Sequence, residues 1–307
     1  MRFYLIAIAA FFAFQAPFIA TAQDEEEDLL DMLEGLEEPT TDYAFATFKS
    51  SRIANSHSIE TSAHGELDMV ISHRFGRINT GINNLFGLDQ ANMRIGLAMG
   101  LTDRITIGVG RSNIQKTYDG YVKAKLLRQA SGEKAFPISI TGLVGSAIFT
   151  TPFPDPAREN KFSDKVSYFY QMMFARKFSD RFSLQITPTL VHLNLVNAAS
   201  DPNDVGALGL AGRYKLTKST SINVEYFHLL SPFTSADVTN NLTVGFDIET
   251  GGHVFQLVFS NTRAMTENLF ITQSTGQWGN GDIHFGFNIH RTFNLIDRKK
   301  PKEDSGY

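Results

Sequence analysis

The 307-residue chain contains no cysteine. That excludes a disulfide framework, a thiolate metal site and the lipid-modified N-terminal cysteine of a bacterial lipoprotein, so any membrane attachment has to come from the fold. Long hydrophobic runs are nearly as scarce. Beyond Ala22 no stretch approaches the roughly 18 apolar residues of a spanning helix; the best, residues 138–149, is short and carries Ser139, Thr141 and Ser146. A helical membrane protein is thereby excluded. An excess of basic charge is also missing: the formal net charge is -4, which is no electrostatic footprint for nucleic acid.

What is present begins with a targeting pattern. Arg2 precedes an apolar run from Phe3 to Phe14, and Ala20-Thr21-Ala22 supplies a small-x-small site, which predicts a signal peptide over 1–22 cleaved before Gln23. Gln15 and Pro17 interrupt the run before it reaches the about 20 residues of a membrane anchor. Residues 24–38 are then rich in Asp and Glu without any Lys or Arg. Leu29, Met32, Leu33 and Leu36 recur there at helical spacing, so 23–42 reads as an acidic periplasmic linker carrying a short amphipathic helix. It serves either as a solvated tether or as a docking peptide for a periplasmic protein.

From Glu66 the period changes to two. Leu67, Met69, Ile71, His73 and Phe75 alternate with Glu66, Asp68, Val70, Ser72 and Arg74, and the pattern returns over 91–100 and 104–110. Further strands are expected at 118–128, 137–149, 164–177, 182–195, 206–216, 220–229, 241–249, 253–261 and 282–293, about twelve in all. Their connections alternate between short ones, such as 101–103, 178–181, 217–219 and 250–252, and generally longer ones, such as 76–90, 150–163 and 262–281. Short turns on one rim and long loops on the other are the habit of an outer-membrane barrel, whose outward rim alone is free to grow. Strands of about ten residues, tilted by about 40°, also rise roughly the 25 Å of the apolar band. Aromatics collect where strands end: Phe75, Tyr118, Phe149, Tyr168, Phe178, Phe182, Tyr214, Tyr226, Phe255 and Phe293 read as two interfacial girdles. The fold class is therefore all-β, a transmembrane antiparallel up-and-down barrel over 66–293, followed by a tail over 294–307.

Several motifs carry a resemblance: Ile71-Ser72-His73-Arg74-Phe75-Gly76, Gly100-Leu101-Thr102-Asp103-Arg104, Gly212-Arg213-Tyr214-Lys215-Leu216 and Asp247-Ile248-Glu249-Thr250-Gly251-Gly252-His253. With them, the stretch of about 41–293 resembles a family of outer-membrane β-barrels, found mainly in Bacteroidota, that is catalogued as a domain of unknown function. The resemblance implies the fold and a bacterial outer-membrane location, with membrane lipid and the barrel-assembly machinery as partners. It supplies no activity, so no catalytic residue carries over. Phe293 stands where such barrels place the terminal aromatic read during assembly, with residues 294–307 beyond it.

The strand face opposite the apolar one should point into the lumen. Arg94, Arg104, Lys123, Arg213, Glu225, Asp247, Glu249 and His284 are the lumen-lining candidates. Opposed charges in a narrow barrel either pair and fill it or line a selective pore, and the sequence leaves both open. Residues 43–65 precede the even strand count, which favours an extension or a plug over a thirteenth strand; deleting 43–60 is then expected to raise conductance. Catalysis has little support. In His57-Ser58 strand neighbours point to opposite faces, and His192 with Asn194 lacks a nearby Ser. His253, His284 and His290 lack ligand spacing for a metal, and no cofactor motif is found. The leading expectation is passive passage of a small polar or amphipathic solute. The alternative is a docking barrel that presents its acidic arm and long loops, including Phe270 and Trp278 of 262–281, to a partner.

Overall fold

The computed structural model describes residues 40–296 except 154 and 234–236. The signal segment, the acidic stretch with its expected helix, and the tail beyond 296 lie outside these residues. A small unit comprises, among the described residues, 40–42 and 131–135. Its residues 41–42 and 131–132 belong to a two-stranded sheet made by Thr41–Tyr43 and Ala130–Gly132.

The larger unit is a closed barrel of twelve antiparallel strands, each hydrogen-bonded to its sequence neighbours and the last to the first. We number them β1 (Glu66–Arg77), β2 (Ala91–Gly100), β3 (Ile105–Ser112), β4 (Tyr118–Leu127), β5 (Ser139–Ile148), β6 (Val166–Lys177), β7 (Phe182–Leu193), β8 (Asp204–Lys215), β9 (Thr220–Leu229), β10 (Asn241–Thr250), β11 (His253–Ser260) and β12 (His284–Asn294). Closure runs from Asn294 opposite Glu66 to His284 opposite Arg77, with a register shift between His284 and Gly286. Closure leaves no strand edge unpaired, which a sheet in hydrocarbon requires. No described helix is long and apolar enough to cross a membrane; the crossing is made by strands.

Period-two alternation turns the usual burial pattern inside out. Met93, Ile95 and Leu97 of β2, Ile105, Ile107 and Val109 of β3, and Leu208 and Leu210 of β8 are exposed on the outer surface. Their neighbours Arg94, Thr106 and Ala207 are buried inside. In lipid an exposed Leu is the favourable choice and the polar set must find partners within. The girdle aromatics divide between the rims. Phe178, Phe182, Tyr214, Phe255 and Phe293 lie toward the short turns; Phe75, Tyr118, Phe149, Tyr168 and Tyr226 lie toward the long loops.

Most strand ends shift by one or two residues from the sequence reading, and three differences in the connections stand out. Residues 101–104 form the β2–β3 turn, so Arg104 precedes its strand instead of belonging to it. The link over 129–136 contains the short strand Ala130–Gly132. The last strand begins at His284, because Asp282 caps the preceding loop by accepting from the Gln277 amide at 3.1 Å.

The inner wall is packed, not hollow. Tyr121, Phe169 and Phe227 each lie on the glycine directly across the ladder, Gly108, Gly145 and Gly209. A Cβ at those glycines would come within 2.2, 2.3 and 2.7 Å of the facing ring. Glycine is needed there for close approach, since any side chain would lift the aromatic off the wall.

Candidate functional site

The lumen is occupied from both ends. From the short-turn rim, residues 44–63 enter as an irregular segment whose middle is a tight hairpin: the Ile53 amide donates to the Ser56 carbonyl at 2.9 Å and Ser58 to Ser51 at 3.1 Å. Its residues 52–59 are buried. From the long-loop rim, the β11–β12 connection folds inward and places the short helix α1 (Glu267–Thr272) inside, every residue buried. Phe270, expected to be displayed to a partner, is instead fully enclosed and edge-on to Phe227, with centroids 5.1 Å apart. Its neighbours Leu269 and Ile271 give the reason: an apolar triplet in a loop gains more by burial than by exposure.

The wall holds the hairpin through its main chain. Both oxygens of Glu225 are taken by the turn, accepting from the Asn55 amide at 2.8 Å, the Ser56 amide at 3.2 Å and the Ser56 hydroxyl at 2.7 Å. Gln256 donates to the Ile53 carbonyl at 2.8 Å, Asn288 to Ala54 at 2.8 Å, and Gln185 to His57 at 2.9 Å. Lys123 donates to the Glu60 carbonyl, and Arg74 donates to the Asn55 side-chain oxygen at 2.7 Å. Nearer the mouth, Arg213 reaches the Ala46 carbonyl at 3.1 Å, and Lys49 pairs with Glu249 at 2.6 Å.

The two fillings meet. Arg52 of the hairpin pairs with Glu267 of α1 at 3.1 Å, both fully buried, and His57 lies 3.7 Å from the same carboxylate oxygen. The Arg52 guanidinium also contacts His57 Nε2 at 3.2 Å and donates to the Asn55 carbonyl at 2.6 Å, while Tyr121 stands edge-on to the imidazole. Burial, reinforced by the cations of Arg52, Lys123 and Arg94, holds the His57 imidazole well below its usual value. Burial pushes the Glu267 carboxyl up, against the opposing pull of Arg52 and Arg94.

The sequence candidates separate on this geometry. Arg94, Lys123, Arg213, Glu225, Asp247 and His284 are buried on the inner wall. Arg94 makes a two-pronged pair with Asp119, and Asp247 accepts from Gln256 at 2.8 Å and from Ser221 at 3.2 Å. Glu249 sits half-buried at the mouth, and Arg104 is exposed on its rim. The sequence reading of a charged lumen missed its second half. Leu143, Phe169, Met173, Val191, Val205, Ala207 and Phe227 of β5–β9 form an apolar inner wall packed against Phe48, Ile53 and Ile59 of the hairpin and against α1. Inward polar groups run round the whole barrel, β5–β9 included, where Thr141, Gln171, Gln185, Thr189 and Glu225 stand among the apolar side chains; what sets that side apart is the added apolar patch.

Neither of the two arrangements weighed in the sequence is assembled. The Ser58 hydroxyl donates to the Ser50 carbonyl at 2.6 Å, away from His57. His192 bonds to Asp204 at 2.7 Å and Asn194 at 3.0 Å. Among the described residues no group of three or more His, Cys, Asp and Glu is placed to hold a metal ion.

Comparison with known proteins gives one family and several faint structural likenesses. The model of a family described as "Membrane bound beta barrel domain (DUF5777)" matches residues 48–293. No curated protein matches the chain. Among solved structures, the fold is similar to a COG4313 outer membrane channel from Pseudomonas putida F1, at 13% identity and TM-score 0.46, covering 77% of this chain and 98% of that one. It is similar also to a NanC porin, at 7% identity and TM-score 0.45, covering 74% and 98%. A KdgM porin matches at 10% identity and TM-score 0.45, covering 73% and 99%.

Proposed function

This chain belongs to the family of membrane-bound β-barrel domains (DUF5777), and we propose that it acts as a gated passage for a small amphipathic solute, closed at rest by the 44–63 segment and α1. Closed barrels of this kind cross the outer membranes of bacteria, and that is where this one resides. One observation carries the proposal. Glu225, Lys123, Gln185, Gln256 and Asn288 each bond to the hairpin backbone, and they do so from five different strands, while Asn288 also donates to Gln256 at 2.7 Å and Gln256 to Asp247 at 2.8 Å. Five strands thus aim a polar group at one segment. Here the wall is complementary to a removable segment, and withdrawing that segment uncovers a tunnel polar all round with an apolar patch on the β5–β9 side. Such a tunnel suits a molecule that is itself amphipathic.

The absence of cysteine makes the test clean. A Cβ built on Gly245 lies 3.4 Å from the Ala54 Cβ at the hairpin tip, close to the roughly 3.5–4.5 Å spacing of a disulfide. The double variant Ala54→Cys, Gly245→Cys, in a planar bilayer, is expected to open when reduced and to stay silent when oxidised. Silence in both states, together with silence of a folded chain lacking both fillings, would remove the passage. It would favour the second reading, a docking barrel. That reading draws support from Ile82, Leu85 and Phe86, which are exposed on the external β1–β2 loop.

A further inference from the structure

At the external end of the barrel lies a second cavity, of about 350 Å³, distinct from the wall groups that hold the hairpin. Its lining comes from Arg77 and Gln90 on the β1–β2 side, His284 at the start of β12, and both legs of the inward-folded loop: Thr262, Arg263 and Ala264 where it enters, Gln273 and Thr275 where it returns. No carboxylate lines it; its ionisable groups are two arginines and a histidine. The wider mouth at the other end is different in kind, with Lys49, Lys125 and Arg128 balanced by Glu60, Glu66 and Asp68.

The two arginines are not equivalent. Arg77 is held in place, donating to Asp282 at 3.0 Å and to the Thr275 hydroxyl at 3.3 Å. Arg263 is exposed and has no hydrogen-bond or ion-pair partner among the described residues, although Thr262 and Ala264 on either side are buried. One orientated guanidinium, one unengaged guanidinium and the amides of Gln90 and Gln273 around a concave space form a donor-rich cradle for a planar or tetrahedral anion.

We propose that this external cavity binds a small organic anion, through a carboxylate or phosphate group, and that it is the entry subsite of the gated passage. The second clause rests on the reading above; the first stands without it. Because the cavity is walled by both legs of the loop carrying α1, an occupant bears on the segment that places Glu267 against Arg52. The chemistry thus supplies both recognition and a route to the gate.

The chain has a single tryptophan, Trp278, on the same loop, with its indole nitrogen donating to the Leu242 carbonyl at 2.9 Å. Its fluorescence in detergent therefore reads binding without transport. Titration with glucuronate and with glucose 6-phosphate is expected to give saturable changes, each weakened at least tenfold by Arg263→Gln, largely restored by Arg263→Lys, and diminished by salt. Neutral glucose is expected to give none. If glucose matches the anions, or Arg263→Gln leaves both isotherms unchanged in a chain that runs as a folded barrel, the site is refuted. A third arm presents lipopolysaccharide in micelles: binding there, with none of the soluble anions, overturns the entry-subsite assignment and leaves a lipid-phosphate site. Saturable binding of the soluble anions alongside a silent bilayer would uphold the anion site and fail the passage alone.

Discussion

Glu225 accepts three hydrogen bonds from two adjacent residues of one turn, two of them from main-chain amides that only proline in the hairpin would remove. A charged acceptor bonded in this way contributes about 1.5–3 kcal/mol per interaction, so Glu225→Gln should loosen the hairpin without altering the wall's shape. The expected outcome is a rise of about tenfold or more in open events in the bilayer, since roughly 1.4 kcal/mol corresponds to a factor of ten; an unchanged record would relieve Glu225 of this role. His57 adds a pH dependence whose sign follows from its lowered pKa. Above about pH 7 seated and unseated hairpins both carry a neutral imidazole and the group contributes nothing. As pH falls through the ordinary histidine range near 6.5, only the unseated form takes the proton, so acid draws the hairpin out. Glu267, pushed up, acts in the opposite sense, favouring the seated state as it protonates at low pH. Opening between about pH 7.5 and 5.5 should therefore be steepest in Glu267→Gln, and His57→Gln in that background should flatten it.

Among the elements, β7 carries a proline in mid-strand. Pro188 has no amide hydrogen to donate, and the β6–β7 pairing passes from Gln171 opposite Thr189 directly to Phe174 opposite Ile186. A groove lined by Met172, Pro188 and Leu190 opens on the lipid face at that gap. Pro188→Val restores a donor, and if the strand can close, the barrel should gain on the order of 1 kcal/mol, read as a higher temperature of conversion from the folded to the unfolded band on a detergent gel. The strands themselves were legible because alternation survives every turn: all twelve lie close to where period two places them. Elements without a period were not. The hairpin mixes Phe48, Ile53 and Ile59 with Arg52, Asn55 and His57, a composition that fits an extension as well as a lumen filling. Only the wall's Glu225, Gln256 and Asn288, far away in sequence, decide between them. The external loop held a readable sign, a lone Glu267 beside the apolar Leu269-Phe270-Ile271, but sequence alone does not say whether such a triplet turns inward. Arg104 shows the cost of a one-residue boundary error, because a strand that starts one position later releases the preceding residue to the turn.

For the molecule as a whole, closure from both ends revises the expected effect of removing the N-terminal segment. Deleting 43–60 alone leaves α1 in place, with Phe270 still seated on Phe227. That deletion is expected to give brief openings, as α1 loses its Arg52 partner, and no steady open level. Replacing 264–274 by a flexible linker should likewise give brief openings alone, and only the combination should give a steady open level. A large steady conductance from either change alone would mean that the filling left behind does not block the pore by itself. The two deletions are coupled because Arg52 and Glu267 complete each other: stripping either leaves a buried charge uncompensated, at a cost of about 3–5 kcal/mol. Arg52 arrives from the short-turn rim and Glu267 from the long-loop rim. On the gated-passage reading, that single side-chain handshake puts the two rims in mechanical register, so that an event at one is felt at the other before any cargo has moved.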